Sequence, residues 1–422
     1  MTAVPAPEKR RPLRIVLFTH YFAPEVGAAA NRLTRLARML QARGHQVQVV
    51  APFPTYPTGV IPPEYRWRLG RRERIDGLDV RRLAATPWAS RRSSARILHQ
   101  ISFMLSGGLR LLTFSRPDVL LVESHPLFVG LASWAVGRLR RIPVVLNVSD
   151  LWPASAVAVG ALRGQGLIRL AEWMERRSYA GAAAIIAMSR GIQAGILAVV
   201  GAGRRDQVHL ITNSVEADRF RPEVDGTAIR ARFGLPPEQF VVGYLGNLGL
   251  AQKLETLLEA AHRLRDDPSI TILLIGGGAC EPQLRAYAEA LALPNVIFGG
   301  QLPFERMPEA LAAVDVSAIL LRKADVFAGV LPSKIFEAMA AGKPIAAALD
   351  GEAADLIRQV GVGLVSPPED ADGLAAAIRQ LRDDPDLRAA MRLRGRAYAE
   401  ATLAPAVIVD RIEAVLCRAA GL

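Results

Sequence analysis

Two cysteines in 422 residues, Cys280 and Cys417, are too few and too far apart to form a disulfide framework or a metal-ligand spacing. Their scarcity points to a reducing compartment and a fold without cross-links. Long apolar runs are also missing. The best candidate, residues 97–114, is interrupted by Gln100, Gly107, Gly108 and Arg110 and is short for a membrane span, so a spanning helix is excluded there. The start, Met1 to Pro12, is polar and basic and does not read as a signal peptide, which makes the cytosol the expected compartment. Nor does any constellation for covalent or acid–base catalysis stand out. His20, His99, His125 and His209 are scattered, no serine–histidine or paired-carboxylate pattern emerges, and no acidic cluster suggests a metal. His20 alone lies in a loop of interest.

Acidic charge is the remaining deficit: 40 acidic side chains face 52 basic ones, a net charge of +12. The excess is arginine, concentrated in the first half. Arg66, Arg68, Arg71, Arg72, Arg74, Arg81, Arg82, Arg91, Arg92 and Arg96 fall within one segment, interleaved with Trp67 and Trp88. Such a surface suits an anionic inner membrane leaflet, where each basic group contributes about 1 kcal/mol and tryptophan favours the interface. Nucleic acid would also be attracted, but no helix-turn-helix, zinc-finger or RNA-recognition signature accompanies the patch, so no nucleic-acid partner is expected. Arginine richness can equally reflect genome composition.

What is present is an alternation of short apolar strands with amphipathic helices, running twice along the chain. Strands are predicted at 14–19, 46–51, 119–123, 144–148 and 183–187, then at 240–245, 270–275, 295–298, 314–320, 344–348 and 363–365. The pattern defines an α/β protein with two doubly wound, Rossmann-like sheets, and the length supports two cores. The expected division is an extension over 1–12, a first domain over 13–210, a hinge over 211–224, a second domain over 225–395 and a C-terminal helical segment over 396–422. Open sheets of this kind bind ligands beyond the carboxyl ends of their strands, which directs attention to the strand-to-helix loops.

Three loops carry the chemistry. Residues 331–345, Leu-Pro-Ser-Lys-Ile-Phe-Glu-Ala-Met-Ala-Ala-Gly-Lys-Pro-Ile, open a helix at Pro332 and Ser333 and close it at Gly342. Lys334 and Glu337 lie one turn apart on a common face, where the ammonium can hold phosphate and the carboxylate can accept from ribose hydroxyls. The alternative is an ordinary helix-end ion pair. The loop over 19–32 passes His20, Gly27 and Ala28, small residues that admit a ligand, and reaches Asn31 and Arg32, donors for hydroxyls or phosphate. A packing-only loop stays open there. The loop Gly243-Tyr-Leu-Gly-Asn-Leu-Gly249, with Gly246, Asn247 and nearby Lys253, offers backbone N–H groups to an anion, and Gly277 repeats the motif after the next strand.

Taken together, these segments resemble the family 4 retaining glycosyltransferases. The resemblance runs from Leu13 onward. It rests on the 24–27 loop, Asn213-Ser-Val-Glu216 with Phe220-Arg-Pro222, the Gly246 loop, 274–278, 295–303 and 337–344. Ser149-Asp-Leu-Trp-Pro153 and Leu331-Pro-Ser-Lys334 look most like the bacterial surface-polysaccharide enzymes similar to N-acetyl-L-fucosamine transferases. The resemblance implies the GT-B architecture, two facing Rossmann-like domains with a C-terminal helix crossing back to the first. It also implies transfer of a sugar from a nucleoside diphosphate, UDP in this subgroup, to a polyprenyl-diphosphate-linked acceptor, with retention by same-face attack and without a metal or cofactor. Glu337 matches the ribose-binding carboxylate and Gly27 the loop near the diphosphate. Where the family commonly has a sugar-contacting glutamate this chain has Gly329, and where it has a phosphate-binding arginine and lysine this chain has Asn247 and Gln252. Lys334 or Lys253 then supplies the cation for the leaving diphosphate, with Ser333 beside it. Ser149-Asp150 replaces a frequent His-Asp pair, making Asp150 the candidate polar anchor, with helix capping as its alternative role. The arginine–tryptophan segment and the apolar stretch over 97–114 give a physical reason for peripheral attachment to the cytoplasmic membrane face. A nucleotide-sugar epimerase of the same two-domain architecture and a non-catalytic donor-binding subunit remain the rivals.

Overall fold

The structure, a computed structural model, describes residues 11–25, 27–55, 59–66, 68–87 and 93–422. Its first half alternates β1 (Arg14–Phe18), α1 (Ala28–Ala42), β2 (Gln46–Pro52), β3 (Gly70–Ile75), β4 (Leu78–Leu83), α2 (Ser93–Thr113), β5 (Val119–Glu123), α3 (Leu127–Arg140), β6 (Val144–Val148), α4 (Ala154–Ala158), α5 (Gln165–Gly181), β7 (Ala184–Ala187), α6 (Arg190–Val200) and β8 (Val208–Leu210). The second half follows with α7 (Thr227–Arg232), β9 (Phe240–Leu245), α8 (Glu255–Arg263), β10 (Ile270–Ile275), α9 (Glu281–Ala290), β11 (Val296–Gly300), α10 (Met307–Ala312), β12 (Val316–Leu320), α11 (Asp325–Ala328), α12 (Ser333–Ala340), β13 (Ile345–Ala348), α13 (Gly351–Val360), β14 (Gly363–Ser366), α14 (Ala371–Asp383), α15 (Pro385–Thr402) and α16 (Pro405–Ala419).

The strands form two sheets, ordered β3-β4-β2-β1-β5-β6-β7-β8 and β11-β10-β9-β12-β13-β14. All pairings are parallel except β3 with β4. Parallel strands need helical crossovers on both faces, which is why runs such as VVLNV and ITILLI are apolar throughout rather than alternating. Along β1 the two faces separate: Leu13, Ile15 and Leu17 pack with α1, while Val16 and Phe18 pack with α2 and α3. Each sheet has a topological switch point, between β1 and β5 in the first and between β9 and β12 in the second, where successive crossovers diverge and leave a crevice at the carboxyl ends.

The chain passes from the first core to the second between Ile211 and Val215. It returns after Leu403, still in the second core, because Ile408, Val409, Ile412, Val415 and Leu416 of α16 pack on the first sheet. The crossing therefore lies about the Ala404–Pro405 break and not at residue 396, since α15 remains packed on α12. Buried Cys417 belongs to this returning helix, and Cys280 is only partly covered.

The arginine segment departs most from expectation. Residues 70–83 form a hairpin on the sheet edge, turned by Asp76 and Gly77 with φ of 50° and 83°, the geometry that suits Asp-Gly in a two-residue hairpin loop. Arg82 is buried, donating from Nε to Glu73 at 2.7 Å and from Nη1 to the Pro52 carbonyl at 3.1 Å. Arg66, Arg68, Arg71, Arg72 and Arg74 face solvent, and Arg81 is half-buried beside Asp79 at 3.8 Å. Trp67, Trp88, Arg91 and Arg92 lie outside the described residues. The stretch over 97–114 is helix α2, which buries Phe103 and turns Leu98, Leu105, Leu109 and Leu112 outward. Gly107 lets it approach the sheet, because a Cβ there would lie 2.6 Å from the Phe18 ring. Among the described residues no helix is long and apolar enough to cross a membrane.

Candidate active site

The second sheet's switch point is built on glycine. Gly246 follows β9 directly, and its φ of +131° and close neighbours disfavour a side chain: a Cβ there would meet Lys334 Nζ at 3.0 Å. Gly276 (φ +148°) is placed the same way against the Gly246 carbonyl, 1.8 Å from a would-be Cβ. Onto this platform α12 delivers Lys334. Its ammonium lies 3.6 Å from the centre of the Tyr244 ring, a cation–π contact, and Tyr244 is fixed by its hydroxyl donating to the Asn247 carbonyl at 2.6 Å. Pro332 precedes α12, no side chain caps it, and the Ile335 N–H turns back to the Pro332 carbonyl at 3.1 Å, which leaves the Ser333 and Lys334 N–H groups for a ligand.

Glu337, one turn on, faces the first domain across a recess of about 250 Å³. Asn31, Arg32 and Ser149 line the opposite wall, with Asn213, Ser333 and Glu337 completing it. Burial pushes the Lys334 ammonium down to about 7, opposed by the Glu337 carboxylate. Burial pushes the Glu337 carboxyl up to about 7, opposed by Lys334, Arg35 and Arg219. Both groups thus stand near their titration points at neutral pH, and a bound anion would favour the ammonium. Arg35 on α1 ties the interdomain segment down, donating to the Ser214 carbonyl at 3.0 Å and approaching Glu216 to 3.5 Å.

The other expected residues are divided. Gly27 accepts the Asn31 N–H at 2.9 Å and so opens α1 at the recess, with Ala28 as its first residue. Asn247 is exposed at the rim, and Lys253 pairs with Glu255 at 3.8 Å. Gly277 accepts from the Leu248 N–H at 3.0 Å, holding two crevice loops together. Three placements differ from expectation. Gly329 does not line the recess: it forms part of a separate interdomain space of about 770 Å³, and its backbone abuts Gly191, where a Cβ would lie 2.1 Å from the Gly329 Cα. Asp150 lies beside the recess-lining Ser149 but accepts from Ser155 Oγ at 2.8 Å, and it does not cap α4. His20 is buried beneath the loop, edge-on to His99 and Phe103 with ring centres 5.0 and 5.5 Å apart.

Sequence reasoning missed Glu123, Asn147 and Arg35. Two of them had a signal: a carboxylate closing the apolar strand VLLVE and an amide inside VVLNV are polar groups in fully buried strands, which require partners.

Two facing parallel-sheet domains with a glycine- and cation-lined cleft define the class. Residues 225–398 match the family model for glycosyl transferases group 1, and residues 27–214 match the glycosyl transferase 4-like domain. The chain is a glycosyltransferase of this group, with the GT-B fold. Among curated proteins it is 27% identical to the colanic acid biosynthesis glycosyl transferase WcaI of Escherichia coli K12, over 87% of this chain and 92% of that one. It is 27% identical to the glycosyltransferase WbjE of Pseudomonas aeruginosa, over 63% of this chain and 66% of that one. The fold matches sucrose-phosphate synthase of Thermosynechococcus elongatus with a TM-score of 0.77, at 19% identity, over 96% of this chain and 98% of that one. It matches Anabaena HepE in complex with UDP-glucose with a TM-score of 0.73, at 19% identity, over 96% and 100%.

Proposed function

We propose that the chain transfers an N-acetyl amino sugar from a UDP-linked donor to a polyprenyl-diphosphate-linked acceptor, with retention, during assembly of a surface polysaccharide such as O-antigen. The observation that carries this reading is Lys334, held by Tyr244 against Gly246 at the head of the helix that also presents Glu337. A diphosphate laid on the Gly246 loop meets this ammonium and the open N–H groups of α12, while Glu337 receives the ribose hydroxyls. Negative charge growing on the bridging oxygen is then stabilised by groups already in place, without a metal. Support for the pathway comes from the names of WcaI and WbjE. Support for the donor comes from HepE, whose solved complexes hold UDP and UDP-glucose.

The acceptor reading draws on the first domain's surface. The outward leucines of α2 and the exposed arginines of the β3–β4 edge form an apolar and a cationic strip suited to the anionic cytoplasmic membrane face. A thermal-shift screen across uridine, guanosine and adenosine diphosphate sugars tests the donor, because a ligand that binds only the folded state raises its melting temperature. UDP-linked N-acetyl sugars are expected to stabilise most. Preference for a guanosine or adenosine donor refutes the uridine assignment, and binding without turnover on any lipid-linked acceptor refutes transfer.

A further inference from the structure

The first sheet's switch point holds a carboxylate that the transfer reading leaves without a role. Glu123 ends β5 and is 1% exposed. Burying a carboxylate is costly unless donors satisfy its oxygens. Here three do, from three segments: Arg32 Nη2 of α1 at 2.8 Å and Asn147 Nδ2 of β6 at 2.6 Å reach Oε2, and Ser149 Oγ of the following loop reaches Oε1 at 2.6 Å. The Arg32 guanidinium makes no other hydrogen bond among the described residues, yet its side chain is only 14% exposed. It lines the recess opposite Ser333 and Glu337, as does Ser149.

We propose that Glu123 is a positioning residue, fixing Arg32 in the first-domain wall so that the remaining guanidinium N–H groups bind the oxygens of a diphosphate in the recess. The proposal rests on reading that recess as the substrate site. By charge alone a carboxylate here would repel an anion. Its benefit is geometric: a planar guanidinium clamped at one nitrogen presents its other donors in a set direction, and the side chain is ordered before the ligand arrives. Asn147 and Ser149 fix the carboxylate in turn, so the whole assembly hangs on β5 and β6 rather than on a loop. The diphosphate can be the donor's or the lipid acceptor's, since both carry the same oxygens.

Titration calorimetry with UDP, GDP, ADP and farnesyl diphosphate separates the outcomes, on the full chain with Glu123→Gln, Arg32→Ala and the double variant. Glu123→Gln removes a negative charge yet is expected to weaken a diphosphate about tenfold, because the neutral amide no longer holds the guanidinium by charge and can offer an acceptor either to Arg32 and Asn147 or to Ser149, not to both sides. In the Arg32→Ala background the same change is expected to cost less than about twofold. Loss confined to the nucleotides assigns the donor's diphosphate, and loss confined to the isoprenyl ligand assigns the acceptor's. Tighter or unchanged binding by Glu123→Gln overturns the proposal, as does equal weakening in both backgrounds, which marks a purely structural carboxylate. Glu123→Asp keeps the charge but draws the carboxylate back by one methylene from its three donors, and is expected to fall between wild type and Glu123→Gln; an unaltered affinity there also overturns it. Absence of diphosphate binding by the wild type, by contrast, sinks the substrate-site reading itself.

Discussion

Replacing Lys334 by alanine tests the phosphate contact, and the structure sets both size and pH dependence. A hydrogen bond to a charged group contributes about 1.5–3 kcal/mol, so losing the ammonium weakens a nucleoside diphosphate roughly 10–150-fold. That figure applies only where the ammonium is already present. Burial brings Lys334 to about 7 in the free protein, so at pH 6 it is charged, whereas at pH 8.5 binding must first recharge it. Recharging 1.5 units above the titration point costs about 2 kcal/mol at 1.36 kcal/mol per unit, which cancels most of the gain. The wild-type advantage over Lys334→Ala for UDP is therefore expected to shrink from about 10–150-fold at pH 6 to a few-fold at pH 8.5. Comparison at each pH cancels the titration of the ligand, while Glu337, which loses the opposing ammonium in the variant, is pushed further up there. Calorimetry in buffers of different ionisation enthalpy should also show proton uptake above neutral pH in the wild type alone. Uridine, lacking phosphate, should bind wild type and variant within about twofold. Equal losses for uridine and UDP, or a loss that does not change with pH, refute the assignment.

Glu337→Ala is expected to weaken uridine and UDP alike by about 10–150-fold, with wild-type binding falling off below neutral pH as the carboxylate of about 7 becomes protonated; calorimetry reads both. Without ligand the same two groups shape stability. Glu337, raised above its unfolded value, contributes stability that is lost as pH rises from about 4.5 to about 7, and Lys334, lowered below its unfolded value, restores stability between about 7 and 10.5. Melting of the wild type relative to the Lys334→Ala, Glu337→Ala double variant should therefore be poorest near neutrality. Gly191→Ala should push the domains apart, since its Cβ would lie 2.1 Å from the Gly329 Cα; a larger radius of gyration in X-ray scattering with reduced turnover is expected, and an unchanged radius speaks against the contact. Arg82→Met removes a buried guanidinium from Glu73 and from the Pro52 carbonyl, while the Tyr65 hydroxyl still donates to Glu73, and should cost about 1.5–3 kcal/mol in urea unfolding. Leu105→Glu with Leu109→Glu should lower binding to anionic vesicles about tenfold or more while leaving uridine affinity unchanged.

The strands of both sheets were readable because buried parallel strands are unbroken apolar runs between glycine- and proline-marked turns, as at 240–245 and 270–275, where the observed bounds coincide with the expected ones. The β3–β4 hairpin escaped because its outer face is arginine: RRERI satisfies an edge strand, where charge is tolerated, but carries no apolar alternation. Its Asp76-Gly77 turn was the available sign. In the site, Lys334 and Glu337 were visible as local spacing on one helix. Arg32 was visible as a loop donor and Ser149 beside Asp150, but their association with Glu123 was not, because it is set by sheet order, which brings β1, β5 and β6 side by side from distant positions. Gly329 shows the converse. A family position identified by its offset from Glu337 lies here against Gly191, where backbone contact leaves no room for any side chain.

The central claim is that the cleft between α12 and the β1–β5 switch point transfers a sugar from a nucleotide. The most direct measurement is release of nucleoside diphosphate from UDP-N-acetyl sugars by the purified chain, with and without a polyprenyl-diphosphate-linked sugar, beside the Glu337→Ala variant. The account predicts acceptor-dependent release with a matching gain of one sugar on the lipid, reduced at least about tenfold in the variant. Epimerised donor in the absence of acceptor, or full activity in Glu337→Ala, would contradict it.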